Sequence, residues 1–164
     1  MISAKLREFL VEQVGHEFTA HQDYMGVALY FQRQSLLRWS RFFRTQAMEE
    51  AEHGTRIVNF LVDQEVEFDL PPLPGATTQF ESALAAAKTS LEWERTMSER
   101  FHAAAKTAIA ENDATSHQFL QWFIEEQVEE EAKMQHVIDL LSTEINLFLA
   151  EPLLDSLESG DAED

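Results

Sequence analysis

The sequence contains no cysteine. Disulfides, thiolate metal sites and thiol catalysis are therefore excluded, and a reducing, cytoplasmic setting is expected. Glycine (5) and proline (4) are scarce in 164 residues, and β-branched runs are few. That scarcity of turn and strand formers argues for long helices. Basic residues are also short, 12 against 30 acidic ones, for a formal net charge of −18. Such a balance disfavours electrostatic binding to nucleic acid or to an anionic membrane. No apolar run is long enough to span a bilayer. The stretch Met1 to Glu8 lacks the apolar core of a signal peptide. Hydrophobic residues nevertheless make up 45% of the chain, enough for one domain with a substantial core.

Apolar residues recur at helical spacing along four long segments. Ser3 caps a first helix that ends near Gln32–Gln34, with the inward stripe Leu6, Leu10, Gln13, Glu17, Ala20 or His21, Tyr24, Ala28, Phe31. A second runs from Leu36–Arg38 to about Gln64, and the short junction makes the two antiparallel neighbours. Residues 65–78 hold Pro71, Pro72, Pro74 and Gly75 and read as an extended crossover. A third helix is expected from about Thr78 to Ile109–Glu111, with the stripe Leu84, Ala87, Leu91, Glu94, Met97 or Ser98, Phe101, Ala105, Ala108. A turn at Asn112-Asp113 leads to a fourth, from about Ala114 to Ser142, with Leu120, Phe123, Gln127, Glu130, Met134, Val137 and Leu141 facing in. The apolar segment from Asn146 to about Leu157 is a short fifth helix, either interrupted at Pro152 or restarted by it. The fold class is thus all-α: a four-helix bundle with a long crossover between the second and third helices and a short C-terminal helix. Residues 1–157 form one domain and 158–164 an acidic tail, expected to be disordered.

Each long helix carries ionisable or amide groups in the middle of its apolar stripe: Glu17, Glu50 with His53, Glu94, and Glu130 with Gln127. Glu50 and His53 are three residues apart, so both can reach one metal ion. Taken alone, such a pair occurs in many helices that bind nothing. Its level in the bundle makes the difference. Glu17 and Glu50 lie about 27 Å and about 23 Å from the turn near Ser35, at about 1.5 Å per residue. Glu94 and Glu130 both lie about 27 Å from the turn at Asn112. If the hairpins pack in register, four carboxylates and a histidine converge at mid-bundle. Four buried carboxylates cannot all stay ionised without compensation, and a divalent or trivalent metal supplies it. Oxygen ligands with one imidazole suit iron or manganese, and zinc also binds such sets. Bridging carboxylates suit two ions. Di-iron bundles use a Glu from each of two helices and Glu-x-x-His from the other two; here the fourth helix has Gln127-x-x-Glu130 instead.

Tyr24 shares the face of Glu17 and either bonds a carboxylate of the site or donates an electron. Glu49, Glu126 and Glu129 adjoin the core set and either form a solvated face or bind a further ion. Trp122 is read as core, His16, His102, His117 and His136 as surface groups, and His21 is left unassigned. Trp39, Phe42, Phe60, Phe68 and Trp93 exceed what one central seam needs, and some are candidates for contacts between subunits.

These motifs resemble those of the bacterial non-haem ferritins, over nearly the whole chain: His16-Glu17-Phe18, Tyr24, Glu49-Glu50-x-x-His53, Glu94 and Glu126-Gln127-x-x-Glu130. The resemblance implies that Glu17, Glu50 and His53 hold one iron and Glu50, Glu94 and Glu130 the second. It further implies a third site at Glu49, Glu126, Glu129 and Glu130, with Gln127 and Tyr24 beside the pair. Haem-containing bacterioferritins place a methionine directly after the second-helix Glu, where this chain has Ala51, so no haem is expected. The implied activity is a ferroxidase, oxidising Fe(II) with O2 or peroxide and storing Fe(III) mineral in a hollow homo-oligomer of 24 subunits. By the same analogy the fifth helix lines four-fold contacts. Acidic residues near the third turn, such as Glu111 and Asp113, are candidates for lining an iron entry channel. Two alternatives stay open: a di-iron oxidase or oxygenase acting on an organic substrate, and a helical bundle without metal.

Overall fold

The computed structural model describes residues 2–158. Among them are five helices and no strand: α1 (Ala4–Gln32), α2 (Leu37–Asp63), α3 (Ala83–Ala110), α4 (Ala114–Ser142) and α5 (Leu147–Glu158). The protein is an all-α four-helix bundle with a short fifth helix. Helices α1 and α2 form one antiparallel hairpin, α3 and α4 the other, and α5 packs on α2 and α4. The tail expectation over 158–164 falls outside the described residues except at Glu158, which ends α5.

Except at α2, where Leu36 offers no side-chain cap, helix starts follow from side chains able to satisfy free N–H groups. Ser3 Oγ accepts from Leu6 N at 3.2 Å, and Asp113 Oδ1 accepts from Ser116 N at 2.9 Å. Ser82 Oγ accepts from Ala85 N at 3.0 Å, and this cap moves the start of α3 to Ala83 rather than the expected Thr78. Residues 78–80 belong to the crossover instead. Arg33 Nη1 donates to the Thr78 carbonyl at 3.1 Å, and Phe80 packs edge-on against Tyr30 at 5.6 Å. The crossover follows α1 closely: an added Cβ at Gly26 would meet the Thr77 carbonyl oxygen at 2.1 Å. The same shift leaves Leu84 only half-buried, while Ala83, Ala86 and Ala87 face the core.

Four helix ends close without glycine. Ser35, Glu65, Asn112 and Glu144 take φ of 60°, 56°, 56° and 56°, and at the first three the N–H groups of Leu36, Val66 and Asp113 reach back to the carbonyls of Phe31, Leu61 and Ala108. Two further readings are corrected. Helix α5 is neither broken nor restarted at Pro152, which lies inside one continuous helix capped by Asn146 Oδ1. Trp39 and Phe42 do not face outward: both are buried within the chain, Trp39 stacking on Phe31 at 5.3 Å and donating from Nε1 to the Leu147 carbonyl at 2.9 Å. Phe60, Phe68 and Trp93 stay half-buried. On α5 the side chains of Phe148, Leu149 and Leu153 are exposed.

The core divides into two apolar clusters. One gathers Tyr24, Phe31, Trp39, Phe43, Leu91, Met134 and Val137; the other gathers Leu6, Leu10, Val14, Ile57, Phe101, Leu120 and Phe123. Between them lies a buried polar band, supplied by all four long helices.

Candidate metal centre

The polar band comprises Gln13, Glu17, Glu50, His53, Glu94, Gln127, Glu130 and Lys133, all buried. It forms because each helix breaks its apolar stripe at the same height, as the rise arithmetic requires. Ligand atoms of Glu17, Glu50 and His53 all lie within 4.8 Å of one another. His53 Nδ1 stands 3.6 Å from Glu50 Oε2 and 3.9 Å from Glu17 Oε2. Neither His53 Nδ1 nor Glu17 Oε2 has a hydrogen-bond partner, though both are buried. Atoms sharing one ion at about 2.1 Å sit about 3.0–3.4 Å apart, so a small inward movement makes this a ligand set. Two unsatisfied buried acceptors converging on one point are what a metal ion would satisfy.

Glu94 and Glu130 complete the band but lie outside that tight trio. Tyr24 donates its hydroxyl to Glu94 Oε1, and Gln127 Nε2 donates to Glu94 Oε2 and to the Glu94 carbonyl, both at 3.1 Å. Glu130 Oε1 accepts from Lys133 Nζ at 3.2 Å. Burial dominates the proton affinities. It pushes Glu17 well above the usual carboxylate range, reinforced by the charge of Glu50. Glu50 is pushed up likewise, by burial and then by Glu94. Burial raises Glu94 too, opposed by the bonds from Tyr24 and Gln127. It carries Glu130 to about 8 despite the Lys133 ammonium beside it. The Tyr24 hydroxyl is held protonated, by burial and by the neighbouring carboxylates. The metal-free centre is therefore a proton store, and metal would have to displace those protons.

Outside this band the acids are less gathered. Glu49 is half-buried and accepts from Gln46 Nε2 and, at 3.2 Å, from Lys133 Nζ. Glu126 is half-buried with Oε1 4.0 Å from His53 Nε2, and Glu129 is exposed. Among the described residues these do not form a second compact ligand group. His16, His102 and His136 are exposed and His117 is half-buried. His21 spans the first hairpin instead, its Nδ1 donating to the Ala47 carbonyl at 2.6 Å.

The ferritin-like domain family matches residues 7–143. The chain belongs to the ferritin family. It is 34% identical over 137 residues to "Ferritin BfrB" of Mycolicibacterium smegmatis, covering 84% of this chain and 76% of that protein. It is also 34% identical to the "Bacterial non-heme ferritin" of Staphylococcus aureus, covering 87% of this chain and 86% of the relative. The open pore ferritin of Archaeoglobus fulgidus superposes with a TM-score of 0.90 at 28% identity, covering 94% of this chain and 98% of that one.

Three residues of this ferritin chain escaped the sequence reading of the site. Gln13 lies on the inward stripe, where the sequence assigns it no role. It donates to Glu17 Oε1 at 2.7 Å and accepts from Arg100 Nε at 2.7 Å, tying Glu17 to α3. Trp122, expected in the core, is half-buried and packs edge-on against His53 at 5.5 Å, with the Arg56 guanidinium over its ring at 4.0 Å from the centroid. Lys133 gave the least signal, since a lysine is an ordinary surface residue. Its position three residues after Glu130, between Glu130 and Met134 on the inward side, was the available clue.

Proposed function

We propose that this ferritin oxidises and stores iron, with Fe(II) as substrate at the mid-bundle centre. Glu17, Glu50 and His53 take one ion, and Glu50, Glu94 and Glu130 the other, with Glu50 shared. The carrying observation is the buried trio, in which Glu17 Oε2 and His53 Nδ1 face each other without partners. Two Fe(II) each give one electron, and O2 or peroxide takes both. The protein contributes placement and charge. Four carboxylates neutralise two divalent ions, Gln13 and Arg100 orient Glu17, and Tyr24 and Gln127 orient Glu94. Fe(III) then moves to a mineral inside a closed homo-oligomer, of 24 subunits by the family resemblance. The exposed Phe148, Leu149 and Leu153 of α5 suit burial against other copies. No haem is part of this reading, and the setting is cytoplasmic. Glu111 and Asp113 remain proposed as residues near the channel that admits iron.

Oxidation of an organic compound would require an apolar cavity against the irons. A cavity of about 640 Å³ on α2, lined by Ala51, Arg56, Phe60 and Phe119, is large enough for a small molecule, and one of about 120 Å³ between α1 and α3 is not. Neither is lined by Glu17, Glu50, His53, Glu94 or Glu130. Changing Glu50 to Ala tests the proposal, because it removes the shared ligand. Stopped-flow iron oxidation should lose its fast phase; a wild-type rate in Glu50→Ala would remove Glu50 from the centre.

A further inference from the structure

Lys133 is buried to 8% relative exposure in the middle of the acidic band. Its ammonium sits 3.2 Å from Glu130 Oε1 on its own helix and 3.2 Å from Glu49 Oε2 on α2. These are two of the four carboxylates that a third ion would need, the others being Glu126 and Glu129. A divalent ion held by those two oxygens would stand beside the Lys133 ammonium, so like-charge repulsion sets the two in competition for one place. The charges agree. Two divalent ions balance Glu17, Glu50, Glu94 and Glu130, and Lys133 balances Glu49. Among the described residues, no fully buried carboxylate besides Glu17, Glu50, Glu94 and Glu130 is present to hold a third ion. Glu126 and Glu129, half-buried and exposed, keep access to water.

We propose that Lys133 is a tethered cation standing in for the third iron, and that it limits this ferritin's centre to two ions per chain. The inference rests on the dinuclear reading above. Lys133 is thus a specificity-determining residue: it sets metal stoichiometry without being a ligand. It also anchors Glu49, because Gln46 Nε2 and Lys133 Nζ both donate to Glu49 Oε2.

The test is anomalous diffraction at the iron edge, on crystals of the assembled protein soaked anaerobically in Fe(II). Native crystals should show two peaks per chain, with the Lys133 nitrogen still between Glu49 and Glu130. In Lys133→Gln a third peak should appear among Glu49, Glu126, Glu129 and Glu130. A third peak in native crystals overturns the proposal whether or not any variant folds. Only two peaks in Lys133→Gln, and again in the volume-matched Lys133→Met, overturn it as well. Absence of peaks at Glu17, Glu50, His53, Glu94 and Glu130 would instead bring down the dinuclear reading.

Discussion

Metal-free protein should lose stability as pH rises from about 5 to about 8, the reverse of ordinary acid denaturation. Glu130 moves from an ordinary carboxyl value of 4.5 to about 8 on folding. The folded state therefore holds a proton that the unfolded state has released, so the stabilisation is complete below about 4.5 and is lost as pH rises through about 8. Integrating that one shift gives a loss on the order of 4 kcal/mol between about pH 5 and about pH 8. Glu17 and Glu50 are raised in the same direction and add to it. Urea midpoints of chelator-treated protein at fixed chain concentration, across that pH range, measure the slope. Glu130→Gln isolates the group, because a neutral amide of the same shape cannot titrate; its slope should be shallower than native. Zinc should oppose the loss, since it binds the deprotonated set. A thousand-fold excess over Kd stabilises by about 4 kcal/mol, comparable to the Glu130 contribution alone, so the slope should become shallower. A flat or rising metal-free profile, or identical slopes for native protein and Glu130→Gln, would refute the reasoning.

Gly26→Ala gains about 1 kcal/mol of helix propensity but forces a Cβ to 2.1 Å from the Thr77 carbonyl oxygen. Overpacking costs about 1–3 kcal/mol, so a net loss in urea stability and faster proteolysis of residues 65–82 are expected; increased stability would contradict the strap's close approach. Glu65→Gly relieves a left-handed φ of 56° at an exposed position and should stabilise by about 0.5–1 kcal/mol, read as a higher urea midpoint. Tyr24→Phe removes the donor to Glu94 and should cost metal-free protein about 1–3 kcal/mol, while two-ion binding by calorimetry persists. Loss of one binding step would make Tyr24 more than an orienting group.

Helix spans and the level of the site were legible because each rests on local rules. Periodicity placed Glu17, Glu50, His53, Glu94 and Glu130 inward, and the rise per residue put them at one height. The start of α3 was missed because Ser82 competes with Thr77 and Thr78 as a cap, and what decides is Arg33 and Tyr30, distant in sequence. Trp39 looked surplus because the groove it fills is made with α5, a contact across 108 residues. Lys133 is hard to read for a different reason. Its inward place beside Glu130 and Met134 is the one local mark of burial; only the meeting of α2 with α4 brings Glu49 to it.

Aerobic loading with excess Fe(II), followed by size-exclusion with iron detection on the protein peak, tests iron storage most directly. The account predicts iron far above three ions per chain, carried by one large particle. Only two or three per chain on a small particle would contradict it and favour a di-iron oxidase.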